Sequence, residues 1–450
     1  MILERGVRGG EIAVIGLGRS GVAATRLLRQ GGIRVYASDQ GRGAQLAAHR
    51  DELVKLGAQV DLGRHDLERI GGAAGCVVSP GIPPDAPPIA AAHRAGVTVV
   101  AEAALGLEAM PEVRYIAVTG TNGKSTTTAL VGHLLGQAGY RSLAAGNIGM
   151  PLCEVALEPI RPEWLAVELS SFQLHDMPEV RPVAGILTNL EPDHLDRYPS
   201  LDAYYADKAL LFRDAEAGSL WVINADDPES QRLARNVAGR RVHFSLAGPA
   251  EGWLDRPAGM LRLGREALLP RAELPLLGDH NVANALAAAL AVRGVGVELD
   301  RIAEGLRSFK GLPHRLERVR EVDGVLWIND SKATNLASTT VAVAAVDRPL
   351  VLLLGGRHKG APYTALAHAL GGRCRAVIAY GEAQPLVVRD LAGTGVRVET
   401  AGTFEEVLSL ARALARPGDA VLLSPACSSY DMFTNYEERG ARFREVVQAW

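Results

Sequence analysis

VTGTNGKST, residues 118–126, decides the fold of the chain that contains it. The apolar run YIAVT, residues 115–119, predicts a buried strand, and residues 125–139 predict the helix that follows the glycines. A strand, a glycine turn and a Lys-Ser pair opening a helix form a phosphate loop, in which backbone N–H groups surround phosphates and the hydroxyl binds Mg²⁺. The loop is shorter than the common form, because the position five residues before Gly123 is Val118 rather than glycine. This stretch predicts an α/β domain around a nucleotide site.

A second glycine loop lies near the N-terminus. The apolar run at residues 11–15 leads into a G-x-G-x-x-G pattern at Gly16, Gly18 and Gly21, and the next predicted strand ends at Asp39. Such a loop lets backbone approach a diphosphate, while the acid meets a ribose diol. Three interpretations fit: an NAD-dependent oxidoreductase, a site for another ribose diphosphate, or a turn without a ligand. Because phosphate loops begin two consecutive segments, we expect one to hold ATP and the other a different nucleotide compound.

The length indicates more than one domain. A chain of 450 residues is too long for a single core and favours about three domains. Apolar strands alternate with helical segments throughout, which is typical of parallel α/β sheets. A Gly-Pro break at GLPHR, residues 311–315, separates the last segment. We therefore predict domains at residues 1–102, 103–311 and 312–450.

Composition narrows the class of protein. The formal charge of −3 argues against a nucleic-acid partner. The four cysteines form no C-x-x-C pair, so neither a disulfide framework nor a zinc site is indicated, and a reducing compartment is favoured. The N-terminus has no unbroken apolar run, and no stretch of 18 apolar residues could cross a membrane. We expect a cytoplasmic protein with no membrane partner.

Lysine is scarce in this chain. The 48 Lys and Arg residues include six lysines, which leaves 42 arginines. Arginine replaces lysine readily on a solvated surface, but it cannot lose its proton to become a reactive amine. The remaining lysines are therefore enriched in candidates for chemistry, although we expect Lys55 and Lys310 to be ordinary surface residues. The other lysines are Lys124, Lys208, Lys332 and Lys359.

Two further positions stand out in the middle segment. Glu168 ends an apolar run, where a lone carboxylate is costly to bury unless it is paired or binds a cation. His194 lies among the acids Glu191, Asp193 and Asp196. Mg²⁺ prefers carboxylate oxygens and water, so a hydrogen-bonded loop histidine is the alternative to a metal ligand.

Taken in order, the motifs resemble those of the Mur ligases, which are ATP-dependent amide ligases that use the short G-T-N-G-K-S loop. The match covers nearly the whole chain. Within the family, the motifs are most similar to the branch that adds D-glutamate to UDP-N-acetylmuramoyl-L-alanine. The motifs are GTNGKST, GNIG, VELSSFQL, DHLDRY, ADKALLF, GDHNVANALAA, GLPHR, WINDSKATN, GGRHKG and LSPACSSYDMF.

The resemblance implies a fold and an activity. The fold is α/β with three domains: an N-terminal Rossmann-like domain, a central P-loop ATPase-type domain with a mostly parallel sheet, and a C-terminal Rossmann-like domain. The activity is peptidoglycan precursor synthesis through an acyl phosphate, with ATP, two Mg²⁺ sites and a CO₂-derived carbamate on Lys208. The protein is expected to be a monomer.

The resemblance also implies roles for individual residues. It assigns catalysis to Lys124, Glu168, His194 and Lys208. The resemblance assigns one Mg²⁺ to Ser125 and Glu168, and the second Mg²⁺ to His194 and Lys208. It assigns ATP binding to Gly120, Thr121, Asn122, Gly123, Lys124, Ser125, Thr126, Asn281, Asn284, Arg315, Asp330 and Lys332.

Substrate contacts follow in the same way. The nucleotide sugar is assigned to Gly18, Arg19, Ser20, Asp39, Ser79, Pro80, Gly81, Asn147 and His194. The D-glutamate pocket is assigned to Thr334, Lys359, Ser424 and Phe433.

Alternatives remain at this stage. Within the family, other members add L-alanine, L-lysine or diaminopimelate, or extend folate with glutamate; the chain lacks the D-N-P-R motif expected of a diaminopimelate-adding enzyme. An NAD-dependent oxidoreductase explains residues 11–39 but gives no role to Glu168 or Lys208. A regulatory module that binds ATP without turnover is the third possibility.

Overall fold

The computed structural model describes residues 2–195 and 197–450, so Asp196 lies outside the described residues. The chain divides into two compact units. The first comprises Met1–Leu274 and Val282–Ser308, and the second comprises Pro275–Asn281 and Phe309–Trp450.

The N-terminal part of the first unit is a parallel sheet flanked by helices. The strands are β1 (Glu11–Ile15), β2 (Arg34–Asp39), β3 (Gln59–Leu62), β4 (Gly75–Val78) and β5 (Val99–Ala101). The helices are α1 (Ile2–Val7), α2 (Arg19–Gln30), α3 (Ala44–Lys55), α4 (Leu67–Gly71), α5 (Pro87–Arg94) and α6 (Glu102–Glu108). The strand order β3–β2–β1–β4–β5 places a topological switch point between β1 and β4, where ligands bind in such sheets.

The rest of the first unit surrounds a larger sheet. Its strands are β6 (Arg114–Thr119), β7 (Ser142–Gly146), β8 (Trp164–Glu168), β9 (Ala184–Leu187), β10 (Leu220–Asn224), β11 (Arg240–Ser245), β12 (Gly252–Asp255), β13 (Met260–Leu263) and β14 (Glu266–Pro270). Its helices are α7 (Lys124–Gln137), α8 (Leu152–Leu157), α9 (Ser171–His175), α10 (Leu201–Ala209), α11 (Pro228–Ala234), α12 (Asp279–Gly294) and α13 (Leu299–Ser308). The first residues of α12 belong to the second unit.

The order of this sheet is β14–β13–β12–β11–β10–β9–β6–β8–β7. From β12 to β14 the pairing is antiparallel, and from β7 to β12 it is parallel. Strand β6 lies between β8 and β9, and all three are buried along their apolar residues. Burial on both faces explains why these strands are continuous apolar runs rather than alternating ones.

The second unit is built on a third sheet. Its strands are β15 (Glu317–Val322), β16 (Val325–Asn329), β17 (Leu350–Gly355), β18 (Cys374–Tyr380), β19 (Val398–Thr400) and β20 (Ala420–Leu423). Its helices are α14 (Leu336–Ala344), α15 (Thr364–Leu370), α16 (Gln384–Leu391), α17 (Phe404–Leu414) and α18 (Tyr436–Gln448). The order is β15–β16–β20–β17–β18–β19, with β15 antiparallel to β16 and the other pairs parallel.

The predicted α/β class with mostly parallel sheets is confirmed. Strands expected at 11–15 and 34–39 coincide with β1 and β2, and the strand before the phosphate loop coincides with β6. The antiparallel extension from β12 to β14 was not predicted. Among the described residues, no helix is both long and apolar enough to cross a bilayer.

A buried carboxylate joins helices α6 and α8 of the first unit. Glu102, at the start of α6, is 1% exposed and accepts a hydrogen bond of 2.6 Å from the backbone N–H of Cys153 in α8. Its second oxygen, Oε2, has no hydrogen-bond partner among the described residues. Burial raises the pKa of Glu102 to about 7, with Glu154 adding to the effect. Below about pH 7 the side chain is therefore mainly neutral in the folded protein.

This raised pKa predicts a pH-dependent stability. Because the folded pKa of about 7 exceeds the ordinary value of 4.5, the folded state holds a proton that the unfolded state has released, and stability is lost as the pH rises between these values. Glu102→Gln has no such titration. We expect the melting temperature of Glu102→Gln, relative to the unmutated protein, to increase from pH 5 to about pH 7 and then level off.

The measurement is thermal unfolding across this pH range, with Glu158→Gln, an exposed carboxylate, as control. A constant difference between Glu102→Gln and the unmutated protein at every pH would contradict the assignment.

Candidate active site

The candidate site of the first unit lies at the carboxyl ends of β6, β8 and β9. Val118 of β6 is in register with Glu168 of β8, and Thr119 is in register with Leu187 of β9. In parallel sheets, loops after adjacent strands meet at one edge. The phosphate loop, Glu168 and the segment after β9 are therefore neighbours, although they are far apart in sequence.

The phosphate loop takes conformations that require glycine. Gly120 and Gly123 have φ angles of +140° and +81°, and a Cβ atom would lie 2.0 Å from Thr188 Oγ1 at Gly120 and 2.3 Å from Asn284 Oδ1 at Gly123. Any other residue at these positions would be strained and would collide with its neighbours. Two glycines therefore give the short loop its sharp turn.

Hydrogen bonds from the segment after β9 fix the loop. The backbone N–H of Asn122 donates to Asn189 Oδ1 at 2.8 Å, and Thr188 Oγ1 donates to the carbonyl of Asn122 at 2.7 Å. Thr121 Oγ1 accepts from the backbone N–H of Glu191 at 3.0 Å. These bonds hold the turn in place before any ligand binds.

Lys124, Ser125 and Thr126 form the first turn of α7. The Lys124 ammonium donates to the carbonyl of Thr121 at 2.7 Å and so folds back over the loop. Among the described residues, no side chain caps the start of this helix at Gly123. The partial positive charge of the helix N-terminus can therefore act on a phosphate held by the loop.

Glu168 is buried at the end of β8, with 3% exposure. Its Oε1 accepts from Asn147 Nδ2 at 3.0 Å, and its carbonyl accepts from the backbone N–H of Asn147 at 2.9 Å. Its Oε2 is buried with no hydrogen-bond partner in the described part of the chain. A buried carboxylate oxygen without a partner is costly, and a divalent cation would satisfy it.

Lys208 is the second buried ionisable group. It is 1% exposed on α10, and its ammonium donates to the carbonyl of Gly120 at 2.6 Å while lying 4.6 Å from the ring centre of Tyr204. Burial, with the nearby charge of Lys124 as the next cause, lowers the pKa of Lys208 well below its ordinary value. The neutral amine is therefore easier to form at Lys208 than at an exposed lysine.

His194 lies on the segment after β9. Its backbone is in the left-handed region, with φ of +53°, its side chain is exposed, and its Nε2 is 3.6 Å from Asp193 Oδ2. Its ring packs against Phe172 at 5.3 Å and Tyr204 at 6.0 Å between centres. These aromatic contacts orient the imidazole, and the ring of Tyr204 is also 4.6 Å from the Lys208 nitrogen.

The N-terminal glycine loop lies at the switch point between β1 and β4. Gly16 has φ of +88°, and a Cβ atom at Gly21 would lie 1.7 Å from the carbonyl oxygen of Gly16. Each oxygen of Asp39 accepts a backbone N–H at 2.7 Å, one from Leu17 and one from Gly41. Asp39 therefore holds the backbone of the loop on one side and that of Gly41 on the other.

The other residues assigned to the nucleotide sugar surround this loop. Ser79 Oγ donates to the carbonyl of Gly16 at 3.0 Å, which joins the segment containing Pro80 and Gly81 to the first glycine. Gly18 has open space around its α-carbon, and Ser20 is partly exposed in the first turn of α2. Arg19, beside it, lies 3.7 Å from Glu154.

In the second unit, β16, β20 and β17 end side by side. Asn329 is in register with Leu423, which brings Asp330 and Ser424 together. Asp330 is 7% exposed, accepts from Ser424 Oγ at 2.8 Å and from the backbone N–H of Leu316 at 3.1 Å. Burial raises the pKa of Asp330 to about 7. The contact to Leu316 places Asp330 beside Arg315.

The residues assigned to D-glutamate occupy different surroundings within this unit. Lys359, which is exposed, donates to Thr334 Oγ1 at 3.3 Å. Ser424 is fully buried, and its hydroxyl oxygen also lies 3.1 Å from Thr339 Oγ1. The ring of Phe433 packs against Phe404 at 5.1 Å between centres. Lys359 and Thr334 therefore form a pair, whereas Ser424 and Phe433 have neighbours outside it.

The two asparagines of α12 have separate contacts. Asn281 Nδ2 donates to the carbonyl of Leu277 at 2.8 Å in the second unit. Asn284 Oδ1 accepts from Thr127 Oγ1 at 3.2 Å in the first unit, one turn into the helix that follows the phosphate loop.

Sequence reasoning missed several residues. Thr188, Asn189 and Glu191 bond to the phosphate loop, yet only His194 was singled out from that segment. Their position directly after an apolar strand was the signal that could have identified them. Tyr436 was also missed: the Lys332 ammonium lies 5.2 Å from its ring centre, and the His314 ring contacts it at 5.9 Å.

Comparison with family models gives matches along most of the chain. The Mur ligase middle domain matches residues 118–292, and the Mur ligase glutamate ligase domain matches residues 314–427. The N-terminal domain of the MurD-like Mur ligases matches residues 10–101.

Curated relatives align over nearly their full length. A UDP-N-acetylmuramoylalanine–D-glutamate ligase from Myxococcus xanthus is 42% identical, and one from Salinibacter ruber is 41% identical; in both cases 98% of this chain and 98% of the relative are covered. One from Pelotomaculum thermopropionicum is 39% identical, with 97% of each chain covered.

Solved structures of lower identity share the fold. The UDP-N-acetylmuramate-alanine ligase MurC from Thermotoga maritima superposes with a TM-score of 0.62 at 21% identity, covering 98% of this chain and 99% of that one. MurF from Acinetobacter baumannii gives 0.61 at 18% identity, covering 96% and 93%.

Proposed function

Because the chain belongs to the Mur ligase family, we propose that it adds D-glutamate to UDP-N-acetylmuramoyl-L-alanine in an ATP-dependent step of peptidoglycan precursor synthesis. The observation that carries this proposal is the meeting of three side chains at one phosphate loop. Lys124 and Lys208 donate to successive carbonyls of the loop, at Thr121 and Gly120, and Glu168 ends the neighbouring strand. Relatives about 40% identical over nearly their full length are named as this ligase.

The reaction needs two steps. A carboxylate resists attack by an amine, so its oxygen first attacks the γ-phosphorus of ATP, which forms an acyl phosphate and releases ADP. The amine of D-glutamate then attacks the acyl carbon, the bond to phosphate breaks, and the amine proton is lost as the amide forms. Transfer of a phosphoryl group depends mainly on fixed positive charge around its oxygens. Lys124 and the loop N–H groups are suited to that role.

The donor set fits a magnesium ion. When bound, Mg²⁺ neutralises charge on the phosphate oxygens. Ser125 and the unpartnered oxygen of Glu168 would hold one ion, because hard cations prefer hydroxyl and carboxylate oxygens. We assign a second site to His194 and Lys208. This site needs a carbamate on Lys208, since an ammonium would repel the cation, and the lowered pKa of Lys208 provides the neutral amine that CO₂ requires.

The remaining assignments follow the same scheme. The crevice between β1 and β4, with Gly18, Arg19, Ser20, Asp39 and the segment 79–81, would bind the nucleotide part of the sugar substrate, while Asn147 and His194 would contact its acyl end. ATP would also contact Asn281, Asn284, Arg315, Asp330 and Lys332. Thr334, Lys359, Ser424 and Phe433 would bind D-glutamate.

We also propose domain bounds of 1–102, 103–311 and 312–450, a monomeric state and a cytoplasmic location. Residues 275–281 lie within the proposed 103–311 domain but cluster with the second unit.

Phosphate release tests the function. With ATP, Mg²⁺ and UDP-N-acetylmuramoyl-L-alanine, we expect release with D-glutamate and not with L-glutamate, L-lysine or buffer alone. Release only with another acceptor would keep the ligase mechanism and overturn the assigned amino acid. If ATP binds but no acceptor causes phosphate release, a regulatory module that binds ATP without turnover is favoured.

Replacing Lys208 tests the carbamate. We expect Lys208→Ala to lose at least about a hundredfold in kcat, because a carbamate held against the phosphate loop makes interactions on the scale of a catalytic electrostatic group. A short-chain carboxylate such as acetate or propionate should restore part of the activity of Lys208→Ala.

Lys208→Arg is the matched control, since arginine keeps the charge but cannot form a carbamate; it should stay inactive with or without the added acid. Lys310→Ala, at an exposed lysine, should behave as the unmutated protein. Failure of the acid to restore Lys208→Ala, with its fold intact by circular dichroism, would count against the carbamate.

A further inference from the structure

The loop that carries Lys359 is fixed on its N-terminal side. We refer to residues 356–363 as the Lys359 loop. Arg357 pairs its backbone N–H with the carbonyl of Ser428 at 2.9 Å, and its guanidinium donates to both oxygens of Glu382 at 3.1 and 3.2 Å. Two parallel hydrogen bonds from one guanidinium restrict orientation as well as distance.

Tyr363 fixes the C-terminal side. Its side chain is 1% exposed, and it packs in the apolar core of the second unit. Its backbone N–H donates to Asp390 Oδ2 at 3.0 Å, from helix α16. Because both the ring and the main chain are held, Tyr363 cannot move without disturbing the core.

Hydrogen bonds link the Tyr363 side chain to His358 on its own loop and to Cys427 after β20. The Tyr363 hydroxyl is 3.0 Å from His358 Nδ1 and 2.9 Å from Cys427 Sγ. Burial raises the pKa of the Cys427 thiol, so the thiol keeps its proton. The thiol can donate to the tyrosine oxygen while the hydroxyl donates to His358 Nδ1, so that one hydroxyl joins both residues.

His358 immediately precedes Lys359. The Lys359 side chain has four rotatable carbons and is exposed, and it touches Thr334 through a long hydrogen bond of 3.3 Å. A flexible ammonium of this kind is directed mainly by where its backbone is held. Fixing His358 at Nδ1 therefore fixes the origin of the Lys359 side chain.

We propose that Tyr363 is a positioning residue for the incoming amino acid: through His358 it holds the Lys359 loop so that Lys359 and Thr334 meet a carboxylate of that substrate. Tyr363 does not touch the substrate itself. The inference deepens the proposed function and rests on it, because Lys359 is assigned to D-glutamate there.

Removing the hydroxyl of Tyr363 tests the proposal. In Tyr363→Phe the ring keeps its place in the core, while His358 and Cys427 lose their shared partner. We expect the KM for D-glutamate to rise about fivefold, the scale of one lost hydrogen bond. The kcat and the KM for ATP should stay within about twofold. Cys427→Ser, which keeps a donor for the tyrosine oxygen, should remain close to the unmutated protein.

Two further variants make the result decisive. Val387→Ala shortens a fully buried side chain in the same core, so it should lower the Tm without changing the KM for D-glutamate; an equal rise in KM would overturn the positioning role. Lys359→Met should raise the KM for D-glutamate by more than Tyr363→Phe does.

The outcomes separate the two levels of the proposal. An unchanged KM in Tyr363→Phe, with a raised KM in Lys359→Met, would refute the inference and leave the proposed function standing. Absence of D-glutamate-dependent turnover in the unmutated protein would refute both.

Discussion

Two ionisable side chains of opposite sign are buried against one loop, and the arrangement of the site depends on how each is satisfied. Glu168 uses one oxygen for Asn147 and leaves the other without a hydrogen bond among the described residues, while Lys208 has a carbonyl for its ammonium and a strongly lowered pKa. An unsatisfied buried polar atom costs about 1–3 kcal/mol, and more if charged. A fold that carries this cost at a phosphate loop has a site ready to take up a cation.

The topology explains how the sites arise. In all three sheets, the polar side chains of interest follow strands that lie next to one another: β1 and β4, then β6, β8 and β9, then β16, β20 and β17. In each sheet the apolar strands are buried, and the residues directly after the parallel strands lie at one edge. Strand order therefore decides which binding residues lie together. A local sequence pattern predicts each strand but not its neighbours in the sheet.

Much of the first unit could be predicted for this reason. The loop glycines, Lys124 and Ser125 follow from one local motif, and Glu168 follows from a carboxylate at the end of an apolar run. Lys208 was identified by scarcity of lysine, and its burial at 1% exposure agrees with that argument. The contacts of Thr188 and Asn189 to the loop required the register between β6 and β9, which no local pattern contains.

The second unit was harder to predict. Position directly after a strand does not say which way a side chain points: Ser424 lies in the interior against Asp330, whereas Lys359, on another loop at the same edge, is exposed. Residues 275–281 cluster with this unit although they lie between segments of the other, because chain order does not reveal which core a short segment joins. The chain of His358, Tyr363 and Cys427 likewise joins residues of two separate loops.

We propose that the oxygen of Glu168 that has no hydrogen-bond partner among the described residues holds a cation for the nucleotide at the phosphate loop. It is tested most directly by measuring ATP affinity calorimetrically with and without Mg²⁺ in the unmutated protein, in Glu168→Gln, and in Glu158→Gln as an exposed control. We predict that Mg²⁺ strengthens ATP binding in the unmutated protein and in the control. In Glu168→Gln the increase in ATP affinity caused by Mg²⁺ should be about tenfold smaller, the scale of one charge-assisted contact. The ATP affinity without Mg²⁺ should be unchanged. The full Mg²⁺-dependent gain in Glu168→Gln would contradict the proposal.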